Sequence, residues 1–211
     1  FIFPILFYLF YDIYLIILIF SFFLILLGLL SDLNIANSPK LRLFLQFLIL
    51  VIFLSFYKEI AIDTRIDYLN FLMNEPLLNI LVPSFFFLVI INGFNFLDGV
   101  NNLCSLNFLI ILCFSYLLIG KTNSLYINNQ LFILILSVLI FVIFNFFGKN
   151  FLGDAAVYAL SFFIGFLLIQ ISMSDNKISP YFIANLLWYP AFENLFSILK
   201  SFFYKKKKLF A

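Results

Sequence analysis

The chain has 211 residues, 65% of them hydrophobic and 10% charged, with a mean hydropathy of +1.18 and a formal net charge of +2. A soluble globular domain carries charge on roughly a quarter of its residues, so this composition excludes one and describes a membrane protein. No histidine occurs, which removes imidazole general-base chemistry and His-ligated metal sites from these residues, and nothing in the composition marks a nucleic-acid partner.

A helix needs about 20 mostly apolar residues to cross a hydrocarbon core of about 30 Å. Residues 1 to 11 read as the tail of an earlier helix, and the first full span is expected over about 13–30. It runs into SDLNIANSPKLRL, residues 31 to 43, where Asp32, Lys40 and Arg42 stand at the membrane surface. Ser38-Pro39 suits an N-cap followed by proline in the first turn, opening a second span over about 41–57. A third, over about 78–97, carries Asn92 and Asn95 before Asp98-Gly99, with Asn101 and Asn102 just after.

An Asp-Gly pair by itself reads as a turn, but an aspartate at a helix centre costs about 2.5–3.5 kcal/mol on insertion scales, and polar groups placed that deep face a cavity or a partner. The next span, about 103–119, holds both cysteines, Cys104 and Cys113, nine residues apart and without metal-ligand spacing; they read as packing residues. After a span over about 129–147 comes FFGKNFLGDAAVY, in which Asp154 suits equally an N-cap of the following span, about 155–172, and a functional carboxylate beside Lys149. Ser179-Pro180 opens the last span, about 180–200, where Pro190 is placed to kink the helix or free a carbonyl and Glu193 reads as structural. The lysines at 205 to 208 are a topology signal with attraction for anionic lipid.

The expected fold is all-α: one integral-membrane domain over residues 1–211 with about seven transmembrane helices and a partial one at the start. Phe1 opens no targeting signal and KKKKLFA reads as the beginning of a loop, so truncation at both ends is expected. Lys40, Arg42, Lys149, Lys200 and Lys205 to Lys208 collect on one side, against Lys58, Arg65, Lys121 and Lys177 on the other, which makes the first side cytoplasmic. Asp32, Asp98 and Asp154 then fall at cytoplasmic helix ends, far apart in sequence. Carboxylates converging at one face, with lysines nearby, suit a magnesium ion that keeps waters and binds substrate phosphates. That arrangement serves phosphoryl-type transfer, and no Gly-rich phosphate loop is present.

INGFNFLDGVNNL, FFGKNFLGDAAVY, GLLSDLNIANSPKLRLFLQ and SPYFIANLLWYPAFENLFSILK resemble the polyprenyl-phosphate N-acetylhexosamine-1-phosphate transferase family, glycosyltransferase family 4. The family includes the phospho-MurNAc-pentapeptide transferase of peptidoglycan synthesis and the GlcNAc-1-phosphate transferases that start O-antigen and related glycans. The resemblance implies that a polyprenyl phosphate attacks the β-phosphorus of a UDP-amino sugar, releasing UMP, with magnesium as cofactor. It implies a multi-pass protein of the bacterial inner membrane, its site on the cytoplasmic face, and it admits a homodimer.

Carried over by position, Asp154 matches the principal metal-binding aspartate and Phe151 an aromatic that stacks on uracil. Asn95 and Asp98 match nucleotide-site residues, with Asp98 the second metal ligand. Asp32 matches the second member of an Asp-Asp pair engaging the lipid phosphate or the metal, and Lys40 a lysine that contacts phosphate. Asn101 and Lys149 complete the expected substrate-binding set. Three departures stand out. Ser31 replaces the pair's first aspartate, Asn101 an expected second aspartate, and Ala156-Val157 a Gly-Ser. The family's histidine-bearing loop would begin beyond Ala211, so the chain as given is expected to be inactive. Of the other classes, a transporter or flippase would keep its acids near the midplane, and a CDP-alcohol phosphatidyltransferase would need an Ala-Arg and a trailing Gly-x-x-x-Asp that DGVNNLCS lacks.

Overall fold

The computed structural model describes residues 15–57, 63–99, 102–119, 125–147, 152–174 and 178–209, with only the backbone given for 119, 125–130 and 202–209. The expected partial helix over residues 1 to 11 lies outside these. The described residues form helices and no strand: α1 Leu15–Asp32, α2 Pro39–Phe56, α3 Asp67–Met73, α4 Pro76–Leu97, α5 Leu103–Ile119, α6 Leu125–Phe146, α7 Gly153–Ser174, α8 Pro180–Leu186 and α9 Trp188–Leu209. By length and composition α1, α2, α4 and α7 can each cross a membrane, and Leu103–Leu118 and Leu131–Phe146 are shorter apolar stretches.

Proline sets three of the starts. Pro39, Pro76 and Pro180 open α2, α4 and α8, and the residues before them, Ser38, Glu75 and Ser179, are extended, as the proline ring requires of its predecessor. The two serines stand at the expected cap positions, but their side chains make no cap hydrogen bond.

The last expected span is not one helix. Pro190 has no N–H to give to the Leu186 carbonyl, so the bond that would carry the helix through is missing. The chain stops at Leu187 and restarts, with bonds from Leu187 N to Ile183 O and from Ala191 N to Leu187 O on either side of the break. The two-turn α3 was not foreseen either. It buries no residue, and seven residues are too few for an apolar period to show.

Helix α7 is the centre. Its residues from Val157 to Ile171 are almost all buried, and it packs against α1, α4, α5 and α8. Phe162 lies 5.1 Å from Phe53 of α2 and 5.4 Å from Phe87 of α4, ring centroid to ring centroid. Two glycines bring backbones together. A Cβ on Gly28 of α1 would stand 2.3 Å from the Cα of Ala155, and one on Gly93 of α4 only 2.2 Å from the Pro190 carbonyl oxygen. The deep Asn92 finds a partner rather than a cavity: it donates to Gln46 Oε1 at 2.8 Å and to its own helix at Leu88 O, joining α2 to α4.

At the opposite end of the bundle, Arg65 donates to the Ile178 carbonyl at 3.0 Å and Tyr181 to that of Thr64 at 2.8 Å. These bonds tie the segment before α3 to the one that opens α8. With the far end so fastened, the ends of α1 and α4 and the starts of α2 and α7 share one face.

Candidate active site at one membrane face

The Gly28 contact presses α1 onto α7, and Asp32, one turn further along α1, reaches the first turn of α7. Its Oδ1 accepts the Asp154 amide at 2.9 Å and its Oδ2 the Ala155 amide at 3.3 Å. A carboxylate there satisfies orphan amides and meets the positive end of the helix dipole. The close fit depends on Gly153, whose φ is +68°; a Cβ at that position would stand 2.9 Å from Asp32 Oδ2. The N-cap reading of Asp154 is therefore corrected. The capping carboxylate comes from α1, and Asp154 lies within the first turn of α7 with its side chain engaged elsewhere.

Three donors meet on Asp154 Oδ2. They are the Ser31 hydroxyl, Arg42 Nη1 at 2.7 Å, and the Tyr158 hydroxyl at 3.3 Å, one turn along the same helix. Arg42 Nη1 also donates to Ser31 Oγ. The Arg42–Asp154 ion pair is partly open to solvent, its side chains 24% and 21% exposed.

Asp98 caps the end of α4 and receives the Gly153 backbone amide. Burial pushes its carboxyl above the usual aspartate range; the Gly153 amide works against that, and the charges of Asp154 and Asp32 add to it. Asp32, Asp98 and Asp154, drawn from α1, α4 and α7, thus come within electrostatic reach of one another.

Of the other expected site residues, Asn95 is half-buried one turn before Asp98, and Lys40 is exposed and takes no part in this network. Phe151, Asn101 and Lys149 lie outside the described residues. Asn102, in the left-handed region at φ +63°, gives its amide to Asn145 Oδ1 at 2.9 Å and so pins the α4–α5 turn to the end of α6.

Sequence reasoning missed two members of the cluster. Arg42 enters the sequence reading only as a surface charge that orients the chain, although an arginine in the first turn of an apolar helix, ten residues after Asp32, is a visible signal. Tyr158 stands four residues after Asp154, the spacing that shares a helix face.

Beside Asp32 opens an apolar cavity of about 370 Å³ between α1, α5, α6 and α7, lined by Leu29, Phe108, Val138, Phe141 and Phe163 among others. Among the described residues no three His, Cys, Asp or Glu side chains form a metal cage. Asp98 feels the charge of Asp154 and, less strongly, that of Asp32. Two carboxylates fit a magnesium-type ion, which keeps waters and takes its remaining oxygens from substrate phosphates.

No match emerged among curated proteins or among solved structures. Residues 14–172 match the family described as Glycosyl transferase family 4, a stretch that holds α1 to all but the end of α7 and every member of the aspartate cluster. The chain accordingly belongs to glycosyl transferase family 4, whose members are membrane transferases that move a sugar 1-phosphate onto polyprenyl phosphate.

Proposed function

We propose that the protein transfers a sugar 1-phosphate from a UDP-N-acetylhexosamine to polyprenyl phosphate at the cytoplasmic face of a bacterial inner membrane. The product is a lipid-linked sugar diphosphate for cell-wall or surface-glycan synthesis. The observation that carries this reading is the convergence of Asp32, Asp98 and Asp154 at one end of the bundle, next to an apolar cavity.

An oxygen of the polyprenyl phosphate attacks the β-phosphorus of the nucleotide sugar. The bond from that phosphorus to the bridging oxygen breaks, and UMP departs with the electron pair. Positioning and charge neutralisation carry most of such a transfer. Asp98 and Asp154 would hold a magnesium ion, which supplies Lewis-acid neutralisation of phosphate charge. Asp32 keeps the first turn of α7 in place through its two amide bonds and so fixes Asp154. Asn95 and Phe151 serve the nucleotide, and Lys40, Asn101 and Lys149 the phosphates. The cavity suits the first isoprene units of the acceptor, since it is apolar and has Asp32 in its lining.

The acids stand at helix ends, which favours interfacial chemistry over a transport path across the bilayer. The test is UMP release by membranes carrying the intact protein, supplied with polyprenyl phosphate, magnesium and UDP-GlcNAc or related UDP-amino sugars. Asp154→Asn should abolish it. Equal turnover by the variant, or sugar-nucleotide flux without UMP, ends the proposal.

A further inference from the structure

We propose that Arg42 is the resident counter-cation of Asp154, docked there by Ser31, and that a divalent cation must displace its guanidinium to reach that carboxylate. This rests on the metal site assigned to Asp98 and Asp154 above. The guanidinium is permanently charged and reaches Asp154 Oδ2 at 2.7 Å, so it occupies an oxygen that a metal would use. The pair is only partly buried, and ion pairs open to solvent are weak enough to exchange.

Ser31 makes the docking possible. Its hydroxyl donates to Asp154 while accepting from Arg42; an ionised carboxylate at position 31 has no proton to donate and competes with Asp154 for the guanidinium. The serine, uncharged and able both to donate and to accept, thus steers Arg42 onto Asp154. The cluster keeps more negative charge than Arg42 cancels, because Asp98 and Asp32 lie within reach of Asp154. A divalent ion is the stronger partner once it arrives.

The experiment is Mn²⁺ binding, followed by electron paramagnetic resonance on the purified intact protein without substrates. Thermal unfolding midpoints confirm that each variant is folded. Arg42→Gln should bind Mn²⁺ about fivefold more tightly than the unaltered protein, the scale of a partly exposed ion pair, while Arg42→Lys stays close to it. Adding Asp154→Asn to Arg42→Gln should erase the gain. Ser31→Asp, which draws Arg42 off Asp154, should also tighten binding and replaces Arg42→Gln should that variant fail to fold. Binding that Asp154→Asn abolishes but Arg42→Gln and Ser31→Asp leave unchanged overturns the counter-cation and spares the metal site. Binding that is absent throughout, or indifferent to Asp154→Asn, overturns both.

Discussion

Gly153→Ala tests the way the site is assembled. The substitution acts twice. An alanine held at φ +68° pays the left-handed penalty of about 1–2 kcal/mol. Its Cβ would also arrive 2.9 Å from Asp32 Oδ2, and Asp32 must swing away. The clash falls on Oδ2 and forfeits its bond to the Ala155 amide. Hydrogen bonds to a charged group contribute about 1.5–3 kcal/mol each, and this one, at 3.3 Å, belongs at or below the bottom of that range. The combined loss is about 3 kcal/mol, which for a chain of this length lowers the unfolding midpoint by about 6–12 °C.

The two contributions separate on an Asp32→Ala background, where the clash and the amide bonds are already gone. There Gly153→Ala should cost only the backbone part, about 1–2 kcal/mol. Thermal unfolding of the four proteins in one detergent measures the cycle, and UMP release follows Asp154 as α7 loses its clamp. Equal costs in the two backgrounds would refute the claim that Gly153 is kept small for Asp32. A midpoint unchanged by Gly153→Ala would refute the positive φ as well.

Two further outcomes follow from the packing and the charges. Gly93→Ala places a methyl 2.2 Å from the Pro190 carbonyl oxygen, a backbone atom that cannot rotate aside, so α4 and α9 must separate. The expected loss is about 1–3 kcal/mol, read as a lower unfolding midpoint, and a stability equal to the unaltered protein contradicts the close approach. Asp98, its carboxyl held above the ordinary value by burial and by the neighbouring carboxylates, binds its proton more tightly in the folded protein than in the unfolded chain. Stability therefore falls as pH rises from about 3.9 through the raised value. Unfolding midpoints across that interval should show a downward slope that Asp98→Asn lacks, and parallel profiles would contradict it.

The helical, membrane-type fold was legible because long apolar runs separated by short polar breaks admit few other solutions. The meeting of the three aspartates was legible from topology alone, since alternating spans put their helix ends on one side. What escaped was whatever depends on the angle between helices. Ser38 and Ser179 gave the right starts but not the expected side-chain bonds, because proline already fixes those turns. Asp154 looked like a cap since its position allows it; only the Gly28 approach, invisible in a string of letters, explains why Asp32 takes that place. Arg42 was hidden for the same reason, its partner lying 112 residues away.

The three carboxylates are compensated unequally, and this ranks their roles. Asp32 has both oxygens on backbone amides at the positive end of α7, an arrangement that stabilises its charge without any added ion. Asp154 has Arg42, Ser31 and Tyr158 on one oxygen, one of them a full positive charge. Asp98 has a single amide against burial and two like charges. Asp98 is therefore the least compensated of the three. The same inequality explains how a chain so poor in charge keeps three aspartates together at a membrane face: backbone amides hold Asp32, Arg42, Ser31 and Tyr158 hold Asp154, and the Gly153 amide works against the burial of Asp98.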